Sequence, residues 1–356
     1  MYIQSCCKKN EYEISSRNYL EDYSYVISKK IDMTLSGRYL YKYPFKLSNA
    51  FNIDRYPTHY EISKLKNAIQ SKYNIDIKEK AIILGAGSNG IIQNMVKLFF
   101  SNSFGNLVTS YLTFNQTEYS VSSFGSLTKR VYMDDYKINF DNFDKAIDTD
   151  TKLVYFCNPN NPTGMLIENE EIIKFANRHR NVHIILDESN IEFSNIESIL
   201  YKNTPTNLII LKSFSKVYGL SNLRIGYAIC SKEIEKEYLK NITVNEFSGL
   251  SCELALKSIN SNYYLKNSKI IKREKNYLCN QLELMGIEVI FSDSNTIMTK
   301  TVFDLKFINK LEENDVSVVP IIDEYNKIHI RIAVQDRITN RKFLKIMKKL
   351  YLESKN

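Results

Sequence analysis

Short apolar runs alternate with helical patterns through the middle of the chain. The runs lie at 81–84, 107–109, 130–133, 153–157, 182–186, 208–211 and 225–229. Apolar residues at helical spacing predict helices over 61–73, 91–100 and 168–180. Strands that are apolar on both faces and alternate with helices are typical of a mostly parallel sheet covered on both sides. The pattern therefore predicts an α/β fold, in which ligands bind outside the carboxyl ends of the strands.

The pattern changes at about residue 233. A long helical region precedes Gly286, and short strands follow around 289, 296–301, 316–319 and 328–332. An amphipathic helix over 340–352 closes the chain. This mixture predicts a smaller α+β domain. We expect a large domain over 51–240 and a small domain made of 241–356 together with 1–50, a polar, tyrosine-rich stretch with no clear elements of its own.

The composition narrows the class of protein. The chain has 356 residues, of which 44% are hydrophobic and 25% charged, as in a globular protein. Its net charge of +8 comes from dispersed lysines, which indicates solvated helix faces rather than a nucleic-acid surface. No apolar run approaches the roughly 20 residues of a membrane span, and the N-terminus lacks a signal-peptide core. Six cysteines without CxxC or Cys/His spacing favour a reduced, cytoplasmic protein with no metal site.

Chemically useful residues follow the run 208–211. Ser213, Ser215 and Lys216 come directly after it, and Arg224 precedes the next run. Burial can lower the pKa of such a lysine and make its amine nucleophilic, while serines beside an arginine are good phosphate ligands. An aldehyde cofactor with a phosphate group would fit this stretch. On this stretch alone, a solvated turn is an equally good interpretation.

Three other predicted strands also end in polar residues. The turn 85–90, GAGSNG, leads into a helix and could aim backbone N–H groups at an anion. The run 153–157 leads into NPNNPTG at 158–164, and the run 182–186 ends at Asp187. A buried carboxylate that stays ionised needs a cation, which a protonated pyridine nitrogen would provide; the alternative for Asp187 is a turn cap. We expect all four strand ends to form one site.

Three motifs together resemble the fold type I (class I and II) pyridoxal-phosphate-dependent aminotransferases. They are the loop 158–164, the segment 213–216 (SFSK) and the segment 223–227 (LRIGY). The similarity is greatest to the branch that contains histidinol-phosphate aminotransferases and threonine-phosphate decarboxylases, and it covers about residues 52–350. It implies a mostly parallel, seven-stranded sheet between helices, a smaller α+β domain and pyridoxal 5′-phosphate as cofactor.

The resemblance also implies roles for single residues. Lys216 would form the Schiff base (aldimine) with the cofactor and move the α-proton, and Asp187 would pair with the pyridine nitrogen. The remaining cofactor-binding residues that it implies are Ser88, Asn89, Ser213, Ser215 and Arg224 for the phosphate, Asn161 and Asn190 for the ring 3-oxygen, Phe114 for ring stacking, and Tyr56, which would reach the phosphate across a homodimer interface. Arg331 would bind the substrate α-carboxylate through its bidentate guanidinium, with Asn161 beside it.

Two departures from the family pattern lie on the substrate side. Asn190 stands where the family usually has a tyrosine, which the threonine-phosphate decarboxylases also tend to lack. The family's N-terminal substrate segment should lie near 36–44, yet the sequence there is SGRYLYKYP. Histidinol phosphate itself is therefore not supported as the substrate.

Three hypotheses about function follow. The first is an aminotransferase acting between an amino acid, or an amino phosphate compound, and a keto acid or aldehyde. The second is a decarboxylase of a phosphorylated amino acid, which Asn190 and the basic residues Arg331 and Arg337 favour slightly. The third is a non-catalytic binding protein, against which the intact Lys216 and Asp187 argue. The frequency of aminotransferases in the family favours the first hypothesis. We also expect small-molecule substrates, a homodimer, and binding to neither nucleic acid nor membrane.

Overall fold

The computed structural model describes residues 12–15, 31–34, 55–240 and 246–355. Its strands are β1 Tyr12–Ser15, β2 Ile31–Asp32, β3 Lys80–Gly85, β4 Asn106–Ser110, β5 Leu127–Val131, β6 Thr151–Cys157, β7 His183–Asp187, β8 Leu208–Ser213, β9 Gly226–Ser231, β10 Thr296–Met298, β11 Val316–Ser317, β12 Val319–Ile322 and β13 Ile328–Ala333. Its helices are α1 His59–Tyr73, α2 Gly87–Phe100, α3 Gln116–Ser122, α4 Phe140–Ala146, α5 Asn169–Arg178, α6 Lys232–Leu239, α7 Gly249–Ile259, α8 Tyr263–Leu284, α9 Leu305–Glu313 and α10 Arg337–Glu353.

Eight strands form the main sheet, in the order β1-β5-β4-β6-β7-β8-β9-β3. The neighbours β5, β4, β6, β7 and β8 run parallel to one another, whereas β1 and β9 are antiparallel to the strands beside them. Strand β3 is antiparallel to β9 and so runs in the direction of the parallel group. The predicted mostly parallel α/β fold is confirmed. Strand β1, from a stretch with no predicted element, is the eighth strand.

Each central strand contributes to two apolar layers because successive side chains point to opposite faces of a sheet. On β7, Ile185 packs in the layer beneath α2 and α6, together with Ile91 and Met95 of α2. Ile184 and Leu186 pack on the other side, in the larger layer shared with α1, α5 and the C-terminal helices. We call these the α2 face and the α5 face of the sheet.

The strand registers bring the four predicted strand ends to one edge. Cys157 at the end of β6 pairs with Asp187 at the end of β7. Ser213 at the end of β8 pairs with Gly226, which in turn pairs with Gly85 at the end of β3. The polar residues that follow these strands therefore lie along the same edge of the sheet, as expected.

A smaller layer follows in the C-terminal part. Strands β10, β13 and β12 form an antiparallel sheet in that order, and β11 pairs with β2. The strand predicted around 289 is only a single bridge between Val289 and Thr299. The described N-terminal residues divide between the layers, because β1 joins the main sheet and β2 joins β11. The division into domains 51–240 and 241–356 with 1–50 stays a prediction.

Some element boundaries differ from those predicted. Helix α2 begins at Gly87 rather than at 91, since its first turn is polar and apolar periodicity starts only at Ile91. Strand β5 ends at Val131, where its pairing with Ser110 of β4 ends, so the prediction over 130–133 was placed too late. The helices α3, α4 and α9 were not predicted. In the part of the chain that the structure describes, each helix is too short or too polar to cross a membrane.

Candidate active site

The site lies where the α2 face of the sheet meets the carboxyl ends of its strands. Asp187 follows Ile185 by two positions, so strand alternation directs both side chains to the α2 face. Cys157 belongs to the apolar layer on the same face, and Ser213 follows Leu211 of that layer. The strand-end residues named by the sequence thus share one face as well as one edge.

Lys216 lies in the turn after β8 and is partly buried. The turn is held from below by α8, because Asn267 donates to the carbonyl of Val217 at 3.0 Å and Tyr263 donates to that of Tyr218 at 2.5 Å. Burial, followed by the positive charge of Arg331, lowers the pKa of Lys216 to about 8, against the opposing effect of Asp187. At pH 7 about a tenth of this amine is therefore uncharged and nucleophilic, far more than for an ordinary lysine.

The carboxylate of Asp187 is 6% exposed and has a hydrogen-bond donor on each oxygen. The backbone N–H of Ser189 donates to Oδ1 at 2.8 Å, and the hydroxyl of Tyr155 donates to Oδ2 at 3.3 Å. Burial raises the pKa of Asp187 above its usual value, although these two donors and Lys216 oppose the shift. A cationic ring nitrogen brought to this carboxylate would stabilise its ionised form.

The start of α2 and the segment around Arg224 lie in close contact. A Cβ added at Gly226 would lie 2.6 Å from the backbone nitrogen of Ser88, so only glycine fits there. At Gly87, with φ +73°, an added Cβ would lie 2.8 Å from Nη2 of Arg224. The N-cap residue of α2 is Ala86, whose methyl group cannot cap the helix. The first-turn N–H groups and the guanidinium are therefore positioned to bind one anion together.

Several hydroxyl groups extend this anion site. Arg224 Nη1 is 3.4 Å from Oγ of Ser215, whose backbone N–H donates to Oγ of Ser213 at 3.0 Å. On the other side, Oγ of Ser189 lies 3.4 Å from Oγ of Ser88. A site built from helix N–H groups, serine hydroxyls and an arginine fits a phosphate monoester, and glycine at 87 and 226 lets the start of α2 and the segment around Arg224 come close together.

The loop 158–164 is tied to its surroundings through its asparagines. The side chain of Asn158 accepts from the N–H of Ile167 and donates to its carbonyl, each at 2.9 Å. Asn160 donates to the carbonyl of Leu112 at 2.8 Å. The side-chain oxygen of Asn161 accepts a hydrogen bond from Nη1 of Arg331, in the C-terminal layer, at 3.2 Å. The loop is therefore a rigid support on which the amide of Asn161 faces the site.

Arg331 reaches the site from β13 of the C-terminal layer. Besides its contact with Asn161, its Nη2 donates to the carbonyl of Thr34 at 3.1 Å. Its buried Nε has no hydrogen-bond partner within the described residues. Burial lowers the pKa of Arg331 to about 10. A carboxylate is the ligand that such a group binds best.

The remaining predicted site residues are distributed as follows. Phe114 packs against the α2-face layer, and its backbone N–H contacts the thiol of Cys157. Asn89 and Asn190 are partly buried, and the buried Oδ1 of each lacks a hydrogen-bond partner within the described part of the chain. Tyr56 lies at the surface before α1 and is 76% exposed. The segment 36–44 lies outside the described residues.

Sequence patterns missed three residues that touch this site: Tyr155, Ser189 and Thr34. Tyr155 occupies a position in an apolar strand that is typical of core packing, and Thr34 lies just after β2, 297 positions before Arg331. Arg337, which had suggested a basic pair with Arg331, binds both oxygens of Glu274 at 2.7 and 3.1 Å. Its charge is thus already balanced within the chain.

The family model for aminotransferase class I and II matches residues 44–346. Histidinol-phosphate aminotransferase 1 of Carboxydothermus hydrogenoformans is 31% identical over 291 residues, which is 78% of this chain and 79% of that protein.

Two solved structures illustrate the fold. The histidinol-phosphate aminotransferase of Sinorhizobium meliloti, in complex with pyridoxal 5′-phosphate, superimposes with a TM-score of 0.76 at 19% identity and covers 84% of this chain and 83% of that one. The L-threonine-O-3-phosphate decarboxylase of Porphyromonas gingivalis gives a TM-score of 0.70 at 22% identity and covers 85% and 91%. At these identities the likeness shows a common fold.

Proposed function

The chain belongs to the class I and II aminotransferases, which are pyridoxal-phosphate-dependent enzymes, and we propose that Lys216 is the residue that binds the cofactor covalently. The reaction that we propose is exchange of an amino group between an amino acid, or an amino phosphate compound, and a keto acid or aldehyde. One observation carries the proposal. The strand registers bring the residues around Asp187, Lys216 and Arg224 to one edge of the sheet, which Arg331 reaches through its hydrogen bond to Asn161.

Pyridoxal phosphate, when bound, supplies an aldehyde that combines with amines and a ring that accepts electrons from the substrate α-carbon. Ser213, Ser215, Arg224 and the first turn of α2 would hold its phosphate. Asp187 would face the pyridine nitrogen, and the amide of Asn161 would face the ring 3-oxygen. Phe114 would stack on the ring, and the side-chain amide of Asn190 would be a second donor to the 3-oxygen.

Lys216 and Arg331 act on the substrate. The guanidinium of Arg331 would bind the α-carboxylate with two parallel hydrogen bonds and so orient the α-carbon toward Lys216. Nζ of Lys216, with its pKa of about 8, can take the α-proton as a neutral amine and return it to another carbon as an ammonium. Return of the proton to a carbon other than the α-carbon is the step that distinguishes transamination from decarboxylation.

The amino donor that we propose is an amino acid or an amino phosphate compound. Relatives named histidinol-phosphate aminotransferases suggest an amino phosphate compound among the possible donors. Decarboxylation of a phosphorylated amino acid would use the same cofactor residues. Because Arg337 is paired with Glu274, it adds no support for that alternative. The exposed Tyr56 suits a homodimer in which its hydroxyl reaches the phosphate of the partner subunit.

Borohydride trapping tests the cofactor lysine directly. The protein would be incubated with pyridoxal phosphate, reduced and digested, and we expect the label on Lys216 by mass spectrometry. Lys216→Ala should remove the label. Lys72→Met is a matched control, because burial also lowers the pKa of Lys72 to about 8 at a position on the opposite face. A label on Lys72 in place of Lys216 would refute the assignment.

A panel of amino donors with 2-oxoglutarate tests the reaction. The panel would include phosphoserine and phosphothreonine, and both keto-acid formation and carbon dioxide release would be measured. Keto acid without carbon dioxide is the expected result. Release of carbon dioxide with no keto acid would reject transamination in favour of the decarboxylase.

A further inference from the structure

Tyr155 lies directly behind the carboxylate of Asp187. It is fully buried on β6, and it pairs with Ile185 of β7, two residues before Cys157 pairs with Asp187. Side chains at 155 and 187 therefore point to the same α2 face of the sheet. The phenol oxygen lies 3.3 Å from Oδ2 of Asp187, so a side chain that looks like core packing in the sequence reaches a polar group of the site.

The direction of the hydrogen bonds follows from which groups carry protons. The hydroxyl of Tyr155 has one proton and two neighbours, Oδ2 of Asp187 and Sγ of Cys157, the latter at 3.2 Å. An ionised carboxylate can only accept, so the phenol proton goes to Asp187. Burial and the nearby charge of Asp187 raise the pKa of Cys157 to about 12, which keeps the thiol protonated and able to donate to the phenol oxygen. The donors are thus aligned from Cys157 through Tyr155 to Asp187.

This alignment holds the carboxylate from two sides. The N–H of Ser189 fixes Oδ1 and the hydroxyl of Tyr155 fixes Oδ2, which together set the plane of the carboxyl group. Each oxygen keeps a lone pair for a further donor. In so buried a position the loss of one donor would favour the neutral acid, which attracts a cationic ring nitrogen far less than a carboxylate does.

We propose that Tyr155 is a positioning residue of the cofactor site, whose hydroxyl orients Asp187 and keeps it ionised for the pyridine nitrogen. This inference rests on the proposed role of Asp187. The competing explanation is that Tyr155 only fills the core and that its hydroxyl bonds to whatever polar atom is near. The two explanations differ in whether the effect of removing the hydroxyl depends on the ring nitrogen.

Equilibrium dialysis of the apoprotein with two ligands separates them. One ligand is pyridoxal phosphate, and the other is its 1-deaza analogue, in which C–H replaces the ring nitrogen. The wild-type protein should bind the natural cofactor more tightly. In Tyr155→Phe we expect the affinity ratio of cofactor to analogue to fall about three- to tenfold, as for the loss of one typical hydrogen bond.

Tyr227→Phe is the matched control. Tyr227 is also fully buried, but its hydroxyl bonds to that of Tyr73 at 3.0 Å on the α5 face, so its removal should leave the ratio unchanged. Equal losses for both ligands in Tyr155→Phe, or no loss at all, would overturn the inference. A wild-type protein that binds the two ligands equally would instead refute the proposed role of Asp187.

A second variant covers the case in which Tyr155→Phe does not fold. Cys157→Ala removes the thiol that donates to the phenol and leaves the Tyr155 hydroxyl in place. The hydrogen bond to Asp187 should weaken because coupled hydrogen bonds polarise one another, and the affinity ratio should fall about twofold. An unchanged ratio in this variant counts against the inference as well.

Discussion

Lys212 and Lys216 are four residues apart at the end of one strand, yet their surroundings differ. Lys212 points to the α5 face, is 1% exposed and lies 2.7 Å from Glu192 and 3.5 Å from Glu188. Burial alone would lower the pKa of Lys212, but the two carboxylates outweigh this effect and raise the pKa. Lys216 lies near Arg331 and Arg224 as well as Asp187, and its pKa falls to about 8.

The acids show the same contrast. Glu188 and Asp187 are adjacent in sequence, but strand alternation sends them to opposite faces. Glu188 accepts from the N–H of Ile199 at 2.9 Å and from the hydroxyl of Ser198, beside the ammonium of Lys212. Asp187 accepts hydrogen bonds from Ser189 and Tyr155. The cation near it, Lys216, belongs to the proposed ligand site. The charges around Lys212 and Glu188 are thus balanced within the protein, whereas those around Lys216 and Asp187 are left to be balanced by cofactor and substrate.

The largest effect that we expect from this contrast is on the free energy of unfolding. Lys212→Met leaves two acids near one another without their cation, and removal of one partner of a buried ion pair costs about 3–5 kcal/mol. Urea unfolding of the apoprotein should show this loss. Lys216→Met should leave the apoprotein as stable as the wild type, or slightly more so, because it removes a desolvated charge. Comparable losses in the two variants would break the contrast.

The adjacent acids allow a second test. Asp187→Asn should weaken pyridoxal phosphate binding by about tenfold or more, because a neutral amide replaces a charged partner of the ring nitrogen. The unfolding free energy of its apoprotein should be unchanged or higher, since burial disfavours the carboxylate of Asp187. Glu188→Gln should instead lower the unfolding free energy by about 1–3 kcal/mol, with the cofactor affinity of the folded protein retained. Dialysis and urea titration on both variants measure the two quantities, and a reversed pattern would contradict the assignment of faces.

The smallest effect that we expect is on the pH dependence of labelling at Lys216. Nζ of Lys216 is nucleophilic only when neutral, so the initial rate of borohydride-trapped labelling should rise with pH. The midpoint of this rise should lie at about 8, well below the pKa of an ordinary lysine, about 10.4. Arg331→Met should move this midpoint upward, because the charge of Arg331 helps to lower the pKa of Lys216. Arg337→Met serves as the control, since Arg337 is paired with Glu274, and its midpoint should match the wild type. Equal shifts in both variants would sink the electrostatic explanation.

Much of the fold was predictable because it depends on local patterns. Continuous apolar runs located the strands β3 to β9 to within a few residues, since a strand buried on both faces must be apolar throughout. The start of α2 was placed four residues late, because polar residues in its first turn face the anion site and leave no periodic signal. The helices α3, α4 and α9 were missed, as their short apolar faces gave too few repeats.

The candidate site was predictable only where a motif marked it. Lys216, Asp187, Asn161 and Arg224 stand at strand ends or in short, unusual loops, and the structure brings them to one edge of the sheet. Tyr155 could not be recognised, because a tyrosine in an apolar strand is usually a core residue. The roles of all these residues stay predictions until the variants are measured.

By itself, the sequence determined the order of the strands β3 to β9 and of the longer helices, the parallel character of the sheet and the identity of the groups at the strand ends. These features are written in hydrophobic periodicity and in short motifs, which act over a few residues. Only the tertiary structure decided which charges meet. Arg331 contacts Asn161, 170 residues earlier in the chain, and Thr34, 297 residues earlier. The properties of Lys216 and Lys212 depend on such distant neighbours, because burial and charge act through space rather than along the chain.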